Sequence, residues 1–200
     1  MNMEKKFELT DNFIINAFGV KLFQIKCTKS FKYAKEGDLG GYVEKDENLD
    51  QESDAWVSGD ARVSGDARVS GDARVYGNAE VYGDAWVYGD ARVSGDARVY
   101  GDARVYGDAR VSGDAWVSGD AEIDNNNKHC GFDCFGSANR HTHAYLTKEN
   151  KVEITCGFFR GSIEEFEKRV EETHSGTIYE KQYKAIIDVI KIKFGLTDLI

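Results

Sequence analysis

Apolar and polar residues recur with a period of six through the middle third of the chain. From residue 55 to residue 124 the sequence repeats the unit Ala-x-Val-y-Gly-Asp with few changes. Alanine and valine are two positions apart, so both point to one side of a strand, while x and y point to the other. The pattern predicts twelve short strands. Glycine lets the backbone bend at each corner, and the aspartate side chain is expected to accept hydrogen bonds from turn amides.

This period indicates a β-solenoid with three strands in each coil. A hexapeptide is too short for an ankyrin, leucine-rich or propeller unit, whereas three such units in succession can close one coil. The composition agrees, because the 200 residues include 21 glycines and no proline, and continuous β-ladders exclude proline. Twelve strands give about four coils.

The repeat resembles the hexapeptide-repeat superfamily, in which an aliphatic residue is followed four positions later by a small one, as in Val57 and Ala61. The resemblance implies a mainly β fold, a left-handed parallel β-helix. Glycine comes one position later here than that family usually shows, so the handedness follows from the resemblance and not from the spacing. A right-handed, polymer-forming solenoid is the alternative.

Two smaller regions flank the solenoid, which is assigned to residues 55–124. Residues 1–54 are expected to form an N-terminal β cap with a strand at residues 20–27. Val43 and Leu49 are already six apart and predict an incomplete first coil, followed by a two-residue slip before the regular repeats.

Residues 125–200 are predicted to form a C-terminal α+β module of the ββαα type. Residues 141–147 and 152–159 are typical of a β-hairpin. Two capping boxes then predict helices that begin after Ser162 and Thr177, and Gly195 is expected to end the second helix.

Both flanking regions resemble parts of known repeat proteins. Residues 31–57, centred on Gly37-Asp38-Leu39-Gly40-Gly41-Tyr42-Val43-Glu44, resemble bacterial and phage hexapeptide-repeat proteins labelled acyltransferase-like, a label that describes their fold. The segment Cys156-Gly157-Phe158-Phe159-Arg160-Gly161-Ser162, with Phe166 and His174, resembles a module at the C-terminal end of many phage-encoded repeat proteins. Phe158 stands where that module often has a second cysteine. The resemblance implies a phage or prophage protein.

The net charge limits the classes of partner that the protein is expected to bind. The net charge is −9, which disfavours a basic protein that binds long nucleic acids. The first residues contain no apolar run of signal-peptide or membrane-span length. We therefore expect a soluble protein of the bacterial cytoplasm, with no membrane partner, whose four cysteines are reduced thiols.

Side chains at equivalent positions of successive coils lie in one column, which places Trp56, Arg74, Arg92 and Arg110 on one face, with Tyr76 beside them. Two unit charges about 4.8 Å apart repel by about 0.9 kcal/mol in bulk water, so this column needs counter-charges. Corner aspartates are one source, which would produce a solvated lattice of charges. The other interpretation is a ligand site in which the arginines bind phosphate or carboxylate and the two aromatic rings stack on the ligand.

The other two faces carry most of the solenoid's exposed aromatic residues. Contiguous exposed aromatic side chains favour association, and solenoids that resemble this one commonly form trimers. We predict a homotrimer with these two faces inward. The predicted interface residues are Tyr82, Tyr100 and Trp116 on the second face, and Trp86, Tyr88 and Tyr106 on the third.

Catalysis is not the favoured interpretation. Acyltransferases that this fold resembles use a histidine in or beside the coils, and residues 55–124 contain none. Cys130, Cys134, His141 and His143 could ligate zinc, but ordinary structural roles are favoured. No catalytic residue, metal or other cofactor is therefore assigned.

Three functional hypotheses remain open. The preferred one is a non-catalytic phage or prophage protein that binds a small anion such as a nucleotide signal, or a host protein, and so counters host defence. The second is an acyl-CoA-dependent acyltransferase that uses His141 or His143. The third is a structural or polymer-forming protein.

Overall fold

Three strands precede the regular repeats in the computed structural model, which describes residues 5–196. Strand β1 (Phe7–Ile15) forms an antiparallel hairpin with β2 (Lys21–Cys27), and β2 pairs antiparallel with β3 (Leu39–Val43). The N-terminal β cap predicted from the sequence is thus an antiparallel sheet of three strands.

Each hexapeptide contributes one strand of two residues, the x residue and the valine or isoleucine after it. Strands that are three repeats apart pair in register, as Arg92 does with Arg74 and Arg110. The twelve strands are β4 (Trp56–Val57), β5 (Arg62–Val63), β6 (Arg68–Val69), β7 (Arg74–Val75), β8 (Glu80–Val81), β9 (Trp86–Val87), β10 (Arg92–Val93), β11 (Arg98–Val99), β12 (Arg104–Val105), β13 (Arg110–Val111), β14 (Trp116–Val117) and β15 (Glu122–Ile123). They form three parallel ladders, of which β4-β7-β10-β13 and β6-β9-β12-β15 are separate sheets, while β5-β8-β11-β14 continues through β3 into the N-terminal strands as one sheet of seven.

An incomplete coil lies beneath these four and brings the solenoid to about five turns. Val43 of β3 pairs with Val63 of β5 in parallel, and Leu49 forms a parallel bridge with Val69. The members of each pair are two positions further apart in the sequence than paired residues of the regular coils. This difference confirms the predicted two-residue slip before the first regular strand.

The interior of the solenoid is a narrow apolar column. Every alanine and every valine or isoleucine of the repeats is buried, while the backbone of each coil bonds to the next, as in Arg92 N–H to Ala109 O at 2.9 Å. Phe7 and Ile25 close the column at its N-terminal end, and Tyr145 closes it at the other. Burial of the small and branched side chains therefore sets the width of the coil.

The C-terminal module has two strands more than its sequence predicts. Strands β16 (His129–Phe135), β17 (Arg140–Leu146), β18 (Val152–Cys156) and β19 (Phe159–Gly161) form one antiparallel sheet, in which β17 and β18 are the predicted hairpin. The predicted helices follow as α1 (Ile163–His174) and α2 (Ile178–Lys193). Ser162 and Glu165 form the predicted capping box. Thr177 caps α2 by accepting from Glu180 N–H, but the predicted reciprocal bond is absent, because the Glu180 carboxylate accepts from Gly176 N–H.

Both ends of the solenoid are covered by the chain itself. At the N-terminal end the Lys6 ammonium donates to the carbonyls of Asp50, Ser53 and Ala55 at 2.6 to 2.8 Å. At the other end the Thr155 hydroxyl donates to Trp116 O at 3.1 Å. Covered ladder edges oppose end-to-end stacking of coils, and this disfavours the polymer-forming hypothesis.

Among residues 5–196 there is no helix whose length and apolar character would let it cross a membrane.

Candidate functional site

The arginine column, formed by Arg74, Arg92 and Arg110, lies on one flat sheet. The three residues belong to β7, β10 and β13 and pair directly across adjacent strands. Neighbouring strands of a sheet are about 4.8 Å apart, so the three side chains leave the surface in a row about 10 Å long. The regular period places them there, since each residue is one coil above the last.

Trp56 lies below this row and does not form an exposed surface. Its side chain is only 5% exposed, because Phe31 of the N-terminal cap packs edge-on against it with ring centroids 5.4 Å apart. The tryptophan therefore belongs to the base of the solenoid. The expected role of Trp56 as a stacking surface is wrong, because a ligand cannot reach its ring.

Two tyrosines hold the lowest arginine of the column. The Arg74 guanidinium lies 4.9 Å from the ring centre of Tyr33 and 5.8 Å from that of Tyr76. Cation–π contacts of this kind stabilise the position of a guanidinium by about 0.5–1 kcal/mol at an exposed site. Tyr76 is 38% exposed, so its ring remains available to a ligand beside Arg74.

The arginine column carries no counter-charge from the described part of the protein. On the second face Glu80 lies between Arg62 and Arg98 and forms ion pairs with both, at 3.1 and 3.5 Å. Within residues 5–196, no carboxylate forms an ion pair with any arginine of the column. The three guanidinium groups of the column therefore lack an ion-pair partner among these residues, whereas those of Arg62 and Arg98 share Glu80.

The corner aspartates do not supply the expected neutralisation. Asp90 uses its backbone N–H at the corner, donating to the carbonyl of Gly107 in the next coil at 2.8 Å, and its side chain is exposed. Where corner carboxylates do form ion pairs, the partners are lysines: Asp66 pairs with Lys45 and Asp72 with Lys32. The predicted capping of turn amides by these side chains, and the predicted lattice of aspartate–arginine pairs, are therefore not observed among residues 5–196.

Residues distant in sequence complete the column at its upper end. The backbone N–H of Arg110 donates to the Asn126 side chain at 2.9 Å, and the Lys193 ammonium reaches the Asn126 carbonyl at 3.4 Å. Lys193 thus adds a cation above Arg110. Sequence patterns could not find it, since it is 67 residues from Asn126 and outside any repeat.

The second face is partly covered by the N-terminal hairpin. Tyr82 and Tyr100 stack with ring centroids 5.0 Å apart and planes 2° from parallel. Phe18, in the turn between β1 and β2, packs against Tyr82 at 5.7 Å. Trp116 lies one coil above Arg98, whose guanidinium carbon is 5.0 Å from the centre of the Trp116 ring. The C-terminal module covers this upper part of the face, because Trp116 shares a small cavity with His141, Thr155 and Gly157, and the Arg160 guanidinium lies against Gly119. Both flanking regions therefore contact the second face.

The third face is the open aromatic face. Tyr88 and Tyr106 stack at 4.9 Å, and Trp86 is 43% exposed. The guanidinium groups of Arg68 and Arg104 lie 5.6 and 5.9 Å from the Trp86 ring, one from each adjacent coil. This face also borders a groove of ≈ 490 Å³ beside Trp86.

The candidate histidines lie inside the junction between the solenoid and the C-terminal sheet. His143 is 1% exposed, with Nε2 3.0 Å from Nδ1 of His129 and Nδ1 3.3 Å from Trp116 O. Burial lowers the pKa of His143 to about 3, and burial with the nearby Lys193 charge lowers that of His129 to about 4. A neutral, enclosed imidazole at position 143 has no route to an acyl-CoA substrate.

His141 and the two candidate cysteines make separate contacts. The His141 ring hydrogen-bonds the Asp133 carboxylate at 2.5 Å. Cys134 is exposed, whereas Cys130 is partly buried, and burial raises the Cys130 pKa to about 11. In the part of the chain that the structure describes, no three His, Cys, Asp or Glu side chains are grouped so that they could hold a metal ion.

Comparison with known families supports the solenoid alone. The repeats match a family model described as the YdcK Beta solenoid repeat, so the chain carries YdcK-type solenoid repeats, while the N-terminal cap and the C-terminal module lie outside the matched segments. No curated protein matches the chain significantly. The matched segments are residues 55–71, 61–75, 67–83, 73–89, 91–104 and 103–119.

Proposed function

We propose that the protein is a non-catalytic binding protein whose arginine column holds a small polyanion of the nucleotide class. The observation that carries this proposal is the contrast between faces: Glu80 neutralises the second face, while the column has no carboxylate partner within residues 5–196. An anion between the guanidinium groups would replace their mutual repulsion, about 0.9 kcal/mol for each neighbouring pair in water, with charge-assisted hydrogen bonds.

The dimensions of the column favour a ligand with several phosphates. Three guanidinium groups in steps of about 4.8 Å suit a run of two or three phosphate groups. Ser94 and Ser112 follow Arg92 and Arg110 on the same side of their strands and are at least partly exposed, so their hydroxyls can donate to the same oxygens. The Tyr76 ring can stack on a base at the lower end.

Thermal unfolding with ADP and ATP tests the column. Ligand at about 100 times its dissociation constant should stabilise the protein by about 2.7 kcal/mol, and Arg92→Ala should remove most of that gain. Arg98→Ala is the matched control, because Arg98 occupies the same repeat position on the neutralised second face. Equal responses of the two variants would contradict binding at the column, and no response to either nucleotide would leave only a protein partner.

The biological role belongs to the same proposal. The resemblance of both flanking regions to phage repeat proteins supports a phage or prophage product that acts in the cytoplasm of a bacterial host. Capture of a nucleotide signal, or occlusion of a host protein by the same surface, would counter host defence.

A trimer is the proposed assembly. In a cyclic trimer each contact joins two different surfaces, so the third face of one copy would meet the part of the second face that the flanking regions leave uncovered on the next. The exposed Trp86 and the stacked Tyr88 and Tyr106 of the third face support this arrangement. The arginine column would then face outward, accessible to its ligand.

A further inference from the structure

A second cavity, outside the solenoid, lies in the C-terminal module. It is a groove of ≈ 510 Å³ between the β18–β19 turn and the two helices. The size is within the range of about 300–1,000 Å³ typical of small-molecule sites. We call it the helix groove and define it by its floor, Phe159, Phe166, Tyr183 and His174, and by its rim, Arg140, Phe158 and Arg169.

The floor of the helix groove is a continuous row of rings. The centroids of Phe159 and Phe166 are 5.0 Å apart, those of Phe166 and Tyr183 are 5.6 Å apart, and those of Tyr183 and His174 are 5.5 Å apart. These contacts fix the rings against one another, since side chains of α1 and α2 interlock at this point. Phe166 and Tyr183 are buried, so the half-buried Phe159 and His174 provide the aromatic surface that a flat molecule can reach.

The rim of the helix groove is positively charged. Three arginines line the cavity, and no carboxylate of the described residues does. Arg160 is neutralised by Glu153, with contacts at 2.6 and 3.1 Å. Arg140 makes no ion pair within residues 5–196, and Arg169 has only an exposed contact with Glu172 at 4.0 Å. Two guanidinium groups are therefore available to an anion.

Local geometry positions Arg140 at this rim. Gly157 follows β18 with a φ of +59°, and a Cβ atom there would lie 2.7 Å from Nη1 and 2.9 Å from Cδ of Arg140. The absence of a side chain thus leaves the space that the arginine occupies. The next residue, Phe158, is 95% exposed, which places an aromatic ring in solvent beside the guanidinium.

We propose that the helix groove binds a small molecule in which a flat ring is joined to a phosphate, as in a nucleoside monophosphate. The ring lies against Phe159 and His174, with Phe158 at its outer edge, because bases stack on aromatic side chains regardless of their identity. The phosphate accepts hydrogen bonds from Arg140 and Arg169, whose planar forks suit its oxygens. The site is separate from the arginine column, which is proposed to hold a run of two or three phosphates.

Titration calorimetry of the full-length protein with AMP, GMP, CMP and UMP tests this site. Arg140→Gln removes charge-assisted hydrogen bonds and should weaken binding about tenfold or more. Phe158→Ser removes a stacking partner and should weaken it about fivefold or more. Ribose 5-phosphate, which lacks the ring, and adenosine, which lacks the phosphate, should each bind much more weakly than AMP.

Two controls separate this site from other surfaces. Lys168→Gln removes a charge from the same helix as Arg169 but outside the helix groove, and Arg92→Ala disables the arginine column; both should bind AMP like the wild type. Circular dichroism and thermal unfolding confirm that each variant folds. The proposal is overturned if none of the four nucleotides binds, if ribose 5-phosphate binds as well as AMP, or if Arg92→Ala abolishes binding that Arg140→Gln leaves intact.

Discussion

At the corners of the solenoid, glycines with positive φ stack on one another from coil to coil. Gly95 has a φ of +70°, and a Cβ atom there would lie 2.9 Å from the backbone nitrogen of Gly113. Gly113, in the last such position of its column, has a φ of +68°, and a Cβ there would meet nothing within 4 Å. The two glycines share one backbone conformation and differ in whether a coil lies above.

Gly95→Ala should therefore destabilise the protein more than Gly113→Ala. Each alanine is strained in the left-handed region by about 1–2 kcal/mol. At position 95 the methyl group also collides with the next coil, which adds about 1–3 kcal/mol, the usual cost of overpacking. Urea unfolding of both variants measures the difference. Equal losses would show that backbone strain, and not the spacing of coils, requires glycine at these corners.

At the scale of elements, a strand or helix can be predicted from the sequence when its buried residues recur with a regular period. The solenoid strands follow from a six-residue pattern in which one side is always buried, and α1 and α2 follow from their N-cap residues and apolar stripes. Strand β16 carries no such pattern, because most of its residues are only partly buried or exposed, and β19 has three residues. Neither element has a sequence signal strong enough to be found.

The same distinction applies to the candidate sites. The arginine column is predictable because its members occupy one position of the repeat in three successive coils. The burial of Trp56 and the orientation of Arg74 depend on Phe31 and Tyr33 of the cap, which precede the repeats. The helix groove brings Arg140 to α1 and α2 through tertiary packing, for which the sequence has no periodic signal.

The junction between the C-terminal sheet and the solenoid should weaken in acid. The pKa of His129, about 4, and that of His143, about 3, lie below the value near 6.5 of an exposed histidine. As pH falls below 6.5, the unfolded chain takes up protons on these residues while the folded chain does not, so stability decreases. We expect the free energy of unfolding to drop by at least about 1.4 kcal/mol, one pKa unit, between pH 7 and pH 4.

A substitution at the junction isolates this effect. His143→Gln stays neutral and should show a shallower loss of stability between pH 6.5 and pH 4 in urea unfolding. His174→Gln, which changes a histidine of α1 outside the junction, should keep the slope of the wild type. Identical slopes in all three proteins would assign the acid sensitivity to carboxylates elsewhere.

At the scale of the whole molecule, the lateral faces differ in what they can contact. The two ends are covered, by Lys6 at one and by Thr155 and Tyr145 at the other. Two copies of the arginine column repel each other, and Phe18 covers the lower second face. The third face, with Trp86 exposed between two arginines, remains as the main apolar surface for self-association.

Trp86→Ser should therefore convert the proposed trimer to monomers, because it removes the largest exposed ring from the centre of that face. Phe158→Ser is the control, since it removes a still more exposed ring from the C-terminal module and should leave the trimer intact. Native mass spectrometry gives the stoichiometry and any retained nucleotide together, and sedimentation velocity checks it in solution. A monomeric wild-type protein would exclude the trimer, and the arginine column would then have to bind its ligand within a single chain.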